Sequence, residues 1–189
     1  MTPTLIIVLA ILVVGALYAA AIYNNLVRLK NTVAKAWSNI DVVLKQRHDE
    51  LPKLVAVCKE YMRHERQTLE QVVQARGAVG AARERGDLHR LGSAETELRA
   101  GLARLFALAE RYPELKADRG FQQLSARISQ LEDTIADRRE LYNESVNLNN
   151  VRLEQFPDTL IARLFGFRRA QLLEFADARQ DVDVAALFR

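Results

Sequence analysis

From Leu5 to Ile22 the chain carries no charged residue, and this 18-residue run limits its fold more than any other feature. As a helix it rises roughly 27 Å, against a bilayer hydrocarbon core of about 30 Å. Eleven of its residues are Leu, Ile or Val, giving a gross insertion drive of roughly −3 to −7 kcal/mol. A cleaved signal peptide would carry a basic leader. No Lys or Arg precedes Leu5, although Ala19-Ala20-Ala21 imitates a cleavage site. A buried core helix would rarely be so uniformly apolar. The run therefore reads as a membrane anchor.

Its flanks give an orientation. Arg28, Lys30 and Lys35 follow the span, and no acidic residue appears before Asp41. The excess of cations on this side places the long C-terminal part in the cytoplasm and a short N-terminus outside. Tyr18 and Tyr23 fall near the cytoplasmic interface, where amphipathic rings are favoured.

Beyond the anchor the apolar positions recur at spacings of three and four, which is helical. Only 8 Gly and 4 Pro occur in 189 residues, too few for a turn-rich β fold. Leu26, Leu29, Val33, Trp37, Ile40 and Leu44 mark a first helix. Asp49 suits a cap and Pro52 a first turn, so a second helix is expected to start there. Its stripe runs through Leu54, Val57, Tyr61, Leu69, Val72 and Val79. Asp87 offers a cap for a third helix, closed by Tyr112-Pro113, and the fourth runs from Phe121 to Phe156. The expected fold is all-α: one N-terminal transmembrane helix, then an up-down-up-down antiparallel four-helix bundle. The expected divisions are residues 1–22 for the anchor, 23–156 for the bundle and 157–189 for a C-terminal extension.

No residue pattern indicates catalysis. His64-Glu65 opens like a zinc-protease motif, but Gln67 and Thr68 follow and the second His is missing. A di-metal bundle needs paired Glu-x-x-His motifs, whereas Glu60 and His64 are four apart and unrepeated. The lone Cys58 lies beside an apolar stripe and reads as a small core residue. His48 and His89 fall at expected turns. No nucleotide loop, nucleophile elbow or cofactor motif is present, so no catalytic, cofactor or metal residues are assigned. The 27 basic residues exceed the 24 acidic ones by only three and are interleaved with them. That pattern describes a solvated face, not a nucleic-acid surface.

Ordered matches spread along the chain carry more information. They include Tyr23-Asn24, the stretch from Ala36 to Val42, Arg47 to Leu54, and Tyr61 with His64-Glu65. Further along come Tyr112 to Ala117, Phe121 to Leu124, Leu131 to Ala136, and Arg138 to Asn143. Phe156-Pro157 and Leu164-Phe165-Gly166-Phe167 complete the series. Together they resemble the LemA family over nearly the whole chain. The resemblance implies a bacterial single-pass inner-membrane protein with a cytoplasmic helical bundle and no established catalytic activity. Leu148 departs from the family pattern where an aromatic is common, as does Leu172-Leu173 where Pro-Tyr is frequent.

Two further features suggest sites. Asn24 and Asn31 open the first helix, and Asn143, Asn147 and Asn150 recur on the fourth. These ends are neighbours in the expected topology, forming either a membrane-proximal polar layer or a solvent-exposed stripe. After Pro157, Leu160, Ile161, Leu164, Phe165 and Phe167 mix with Arg163, Arg168 and Arg169, a composition suited to a bilayer interface. Leu164, Phe165, Phe167, Arg168 and Arg169 would then lie on the headgroups beside the anchor, or else cap the core. A rod continuing through Pro52 would be expected to reverse everything downstream and separate this segment from the anchor.

The expected role is a non-enzymatic scaffold, adaptor or regulator of other membrane or envelope proteins. The alternative is a small-ligand- or metal-responsive signalling module, whose sign would be a pocket lined by His48, His64 and nearby acids. The oligomeric state is not legible.

Overall fold

The computed structural model describes residues 3–175. The end of the expected C-terminal extension, 176–189, lies outside them. The described residues form six helices and no strand: α1 Pro3–Tyr61, α2 Arg66–Arg85, α3 Leu88–Ala109, α4 Pro113–Ala117, α5 Arg119–Glu154 and α6 Asp158–Leu164.

The break expected at Asp49–Pro52 does not occur. α1 runs 59 residues with Pro52 inside it, so the apolar run and the first helix expected after it are one element, and residue 22 falls mid-helix. Proline lacks the N–H that would satisfy the carbonyl four residues back, here that of His48. Arg76 Nε, on α2, donates to that oxygen at 2.9 Å. The orphaned carbonyl therefore has a partner from another helix, and Pro52 itself faces solvent. The chain reverses instead at residues 62–65, where Met62 N donates to Cys58 O and Glu65 N to Met62 O. The reversal has moved and not vanished, and α5 still returns along α1, Tyr142 meeting Trp37 and Leu153 meeting Leu26.

Other signals operate where the sequence places them. Asp87 accepts from Arg90 N at 3.0 Å and caps α3. Asp118, not singled out from the sequence, accepts through Oδ1 from Phe121 N at 2.8 Å at the start of α5. Tyr112-Pro113 ends the third stripe, with Pro113 opening the short α4.

The chain divides into two compact units. One combines α1 through Ile40 with Arg138–Leu172, and the other combines Asp41–Asp137 with the tail from Leu173. In the second unit, Leu44, Leu51, Leu54 and Cys58 from α1 are buried, as are Leu69, Val72 and Val79 from α2. Leu91, Leu98, Leu102 and Leu105 from α3 and Phe121, Ile128, Leu131 and Ile135 from α5 complete this core. Each contributes about 1.5–3 kcal/mol of transfer free energy. In the first unit α1 and α5 run antiparallel: Trp37 packs on Tyr142 with ring centroids 5.7 Å apart, while Leu26 shares a cluster with Leu153.

Candidate functional site

The first unit builds an apolar collar at the point where the apolar run ends. Ile22, the last residue of the uncharged run, is only 5% exposed, although the residues before it are almost all exposed. It is covered in a cluster with Leu26, Leu153 and Ala162, against which Ile161 and Phe167 pack. Tyr23 meets Phe165 at 4.8 Å and Phe167 at 5.8 Å between ring centroids. α6 and the residues after it are thus fastened to the end of the apolar run.

Local sequence explains this placement. α6 ends at Leu164 and the chain turns at Gly166, whose φ of 69° is a left-handed conformation that glycine adopts without a Cβ clash. Phe167 N then reaches back to Ala162 O at 2.9 Å, which closes the helix and turns the Phe167 ring toward Tyr23. On the inner side, buried Asp158 accepts from Arg152 Nε at 2.8 Å. Leu160 and Leu164 lie one turn apart on α6, and Phe156 precedes the helix. Phe156, Leu160 and Leu164 are 80%, 56% and 75% exposed, and Phe165 is 57% exposed. This short helix shows water an apolar face, beside cations Arg163, Arg168 and Arg169.

The asparagines have separate fates. Asn24, Asn31 and Asn147 are exposed, and Asn143 is half-buried. Asn150 holds the chain after α6 by two bonds: its Nδ2 donates to Ala170 O and its Oδ1 accepts from Ala170 N, both at 2.9 Å. Tyr142 OH donates to Gln171 O at 2.8 Å. Buried Asn149, not singled out from the sequence, donates to Asn150 Oδ1.

In the second unit the tail continues with Leu173 and Phe175 buried. Arg99 lies over the Phe175 ring, 5.9 Å from its centroid. A Cβ on Gly92 would come within 1.9 Å of Glu174 O, so only glycine admits the tail's backbone at that point of α3.

The same unit contains a buried ion network that sequence reasoning missed. Arg47 is 1% exposed and donates to Glu95 at 2.5 Å and to Glu132 at 2.6 Å; Arg99 pairs with Glu132 at 3.4 Å. Burial disfavours the charge on Arg47, but Glu95 and Glu132 outweigh it and hold its pKa above the usual value. Burial pushes the Glu95 carboxyl upward, against the pull of Arg47. The register could have revealed the network. Arg47 falls on the apolar stripe Ile40, Leu44, Leu51, Leu54, and Glu95 falls between Leu91 and Leu98 on theirs.

His48 and His64 do not share a pocket. His48 lies thirteen residues before the end of α1, roughly 20 Å of helix, and His64 is exposed in the following turn. His48 is half-buried against Gly80. Burial, helped by Arg76, lowers its pKa. Among the described residues, no group of His, Cys, Asp or Glu is arranged to hold a metal.

These features coincide with a known family. The sequence model of the LemA family matches residues 36–185, and the chain belongs to that family. It is 25% identical over 192 residues to magnetosome protein MamQ 2 of Paramagnetospirillum magneticum, covering 88% of this chain and 71% of that one. It is 27% identical over 182 residues to protein LemA of Metamycoplasma hominis, covering 94% and 81%. Similarity to MamQ of Magnetospirillum gryphiswaldense is 24% over 172 residues, covering 79% and 63%.

Proposed function

We propose that this LemA-family chain is a non-enzymatic, single-pass protein of the bacterial inner membrane. Residues 23–156 form an antiparallel four-helix bundle on the cytoplasmic face, which acts as a scaffold, adaptor or regulator of other membrane or envelope proteins. The observation that carries this reading is the cover over Ile22. A flexible tether would leave the end of a span free, whereas here α6 and Phe167 pack on it and α1 continues unbroken into the folded part. This packing holds the unit that carries α6 against the end of the span, which supports presentation of a surface to membrane neighbours.

The exposed face of α6 supports an immersed collar. Phe156, Leu160, Leu164 and Phe165 enter the headgroup boundary, while Arg163, Arg168 and Arg169 meet the anionic surface. Arg28, Lys30 and Lys35 orient the span in the same sense.

Protease protection tests the topology. In spheroplasts the folded part should resist added trypsin, and in inverted vesicles it should be digested; the reverse pattern contradicts the reading. The scaffold role is tested by photo-crosslinkers at exposed Leu141, Leu148 and Val151 on α5. Discrete adducts with one or a few membrane proteins are expected, and absence of adducts at all three positions contradicts it.

A further inference from the structure

We infer that the collar contains a binding site for the headgroup of an anionic phospholipid drawn from the membrane that α1 crosses. The inference rests on the immersed-collar reading and adds a lipid class to it. An open cleft of about 380 Å³ lies between the end of α5 and α6, within the roughly 300–1,000 Å³ typical of small-ligand sites. Its lining is divided by chemistry. Leu153, Ala162 and Phe167 supply apolar lining, Thr159, Arg163 and Arg169 supply a hydroxyl and two guanidinium groups, and Glu154 adds one carboxylate. Such a lining matches a phospholipid at its phosphate, where anionic oxygens adjoin the first hydrocarbon. Guanidinium groups bind phosphate bidentately and are weakly hydrated, so they suit this layer better than ammonium groups do.

Position selects the source of the phosphate. Phe167 touches both the cleft and Tyr23, the first residue after the span, so the cleft opens at the level where headgroups lie. The Arg163 side chain is exposed and, among the described residues, its guanidinium makes no ion pair, so its charge is available. Arg169 pairs with Glu154, and both are more than half exposed. Glu154 is therefore a competitor for the incoming phosphate, and removing its charge should strengthen lipid binding.

The experiment reconstitutes the full chain into equimolar phosphatidylcholine and phosphatidylglycerol, extracts it gently, and weighs it intact with its retained lipids. Phosphatidylglycerol should be retained preferentially, by roughly five-fold for each arginine engaged. The double variant Arg163→Gln/Arg169→Gln should lose that preference, and Glu154→Gln should increase it. All three side chains are exposed, and the helical melting curve checks that the variants remain folded. Equal retention of the two lipids overturns the proposal, as does a preference unchanged in the double variant. A spin label at residue 164 separates the two levels. If the label is immersed and the lipid preference is absent, only the lipid site fails; if the label is in water, the collar fails with it.

Discussion

Arg47 illustrates how a single side chain can organise three helices at considerable risk. It carries a full charge at 1% exposure and is held by carboxylates from α3 and α5. Removing one member of a buried pair leaves the other charge unpaired, which costs about 3–5 kcal/mol, whereas replacing both by apolar groups is often near neutral. Arg47→Met should therefore lower unfolding stability by that amount in a denaturant titration, and Arg47→Met/Glu95→Met should recover most of it. His48 gives a pH dependence. Its folded pKa lies below its unfolded value near 6.5, so acidification protonates the unfolded chain first. Stability should be full above pH ~6.5 and decline as pH falls through the folded value, and His48→Gln should flatten that part of the curve. The other charges near this ring are Arg76, Asp49, Arg83 and Glu84. Cys58 is buried and its pKa is pushed up to about 11, so its thiol should ignore iodoacetamide until the protein unfolds. The inertness of Cys58 was legible from its place beside an apolar stripe. The role of Arg47 was not, because a charge on an apolar stripe identifies its partners only once the other helices are in place.

Among the elements, α1 shows why local signals can mislead. Asp49 and Pro52 have the residue types of a helix start, and the same proline is tolerated mid-helix only because Arg76 supplies what it lacks. Charge-assisted bonds of this kind contribute about 1.5–3 kcal/mol. Arg76→Leu should cost about that much in the native sequence. In a Pro52→Ala background it should cost much less, since the alanine N–H can return to His48 O; a double-mutant cycle measures the coupling. Helix type and the Asp87 cap could be read from periodicity and capping residues, because those interactions are local. The position of the first reversal depends on a residue 24 positions beyond Pro52, which a local pattern does not contain. The tail poses the same problem. Gly92 lies among helix-forming residues, and its reason appears only in the approach of Glu174 O. Gly92→Ala should destabilise by about 1–3 kcal/mol through overpacking and speed amide exchange at 173–175. Gly77→Ala has open space around it and should stabilise α2 by about 0.5–1 kcal/mol.

For the molecule as a whole, the apolar run, its cationic flank and the aromatic segment after Pro157 were legible separately. Their union at Ile22 and Tyr23 was legible only as a consequence of topology, since it requires α5 to return along α1. The account predicts that the collar enters the bilayer that α1 crosses. A spin label on Leu164→Cys tests this directly in the reconstituted full chain, because the inert Cys58 leaves one reactive thiol. Collision with dissolved oxygen should exceed collision with a water-soluble nickel complex at residue 164, with the opposite order for a label on His64→Cys in the exposed turn after α1. If residue 164 behaves like residue 64, meeting the nickel complex freely, the collar stands clear of the membrane and the account is wrong.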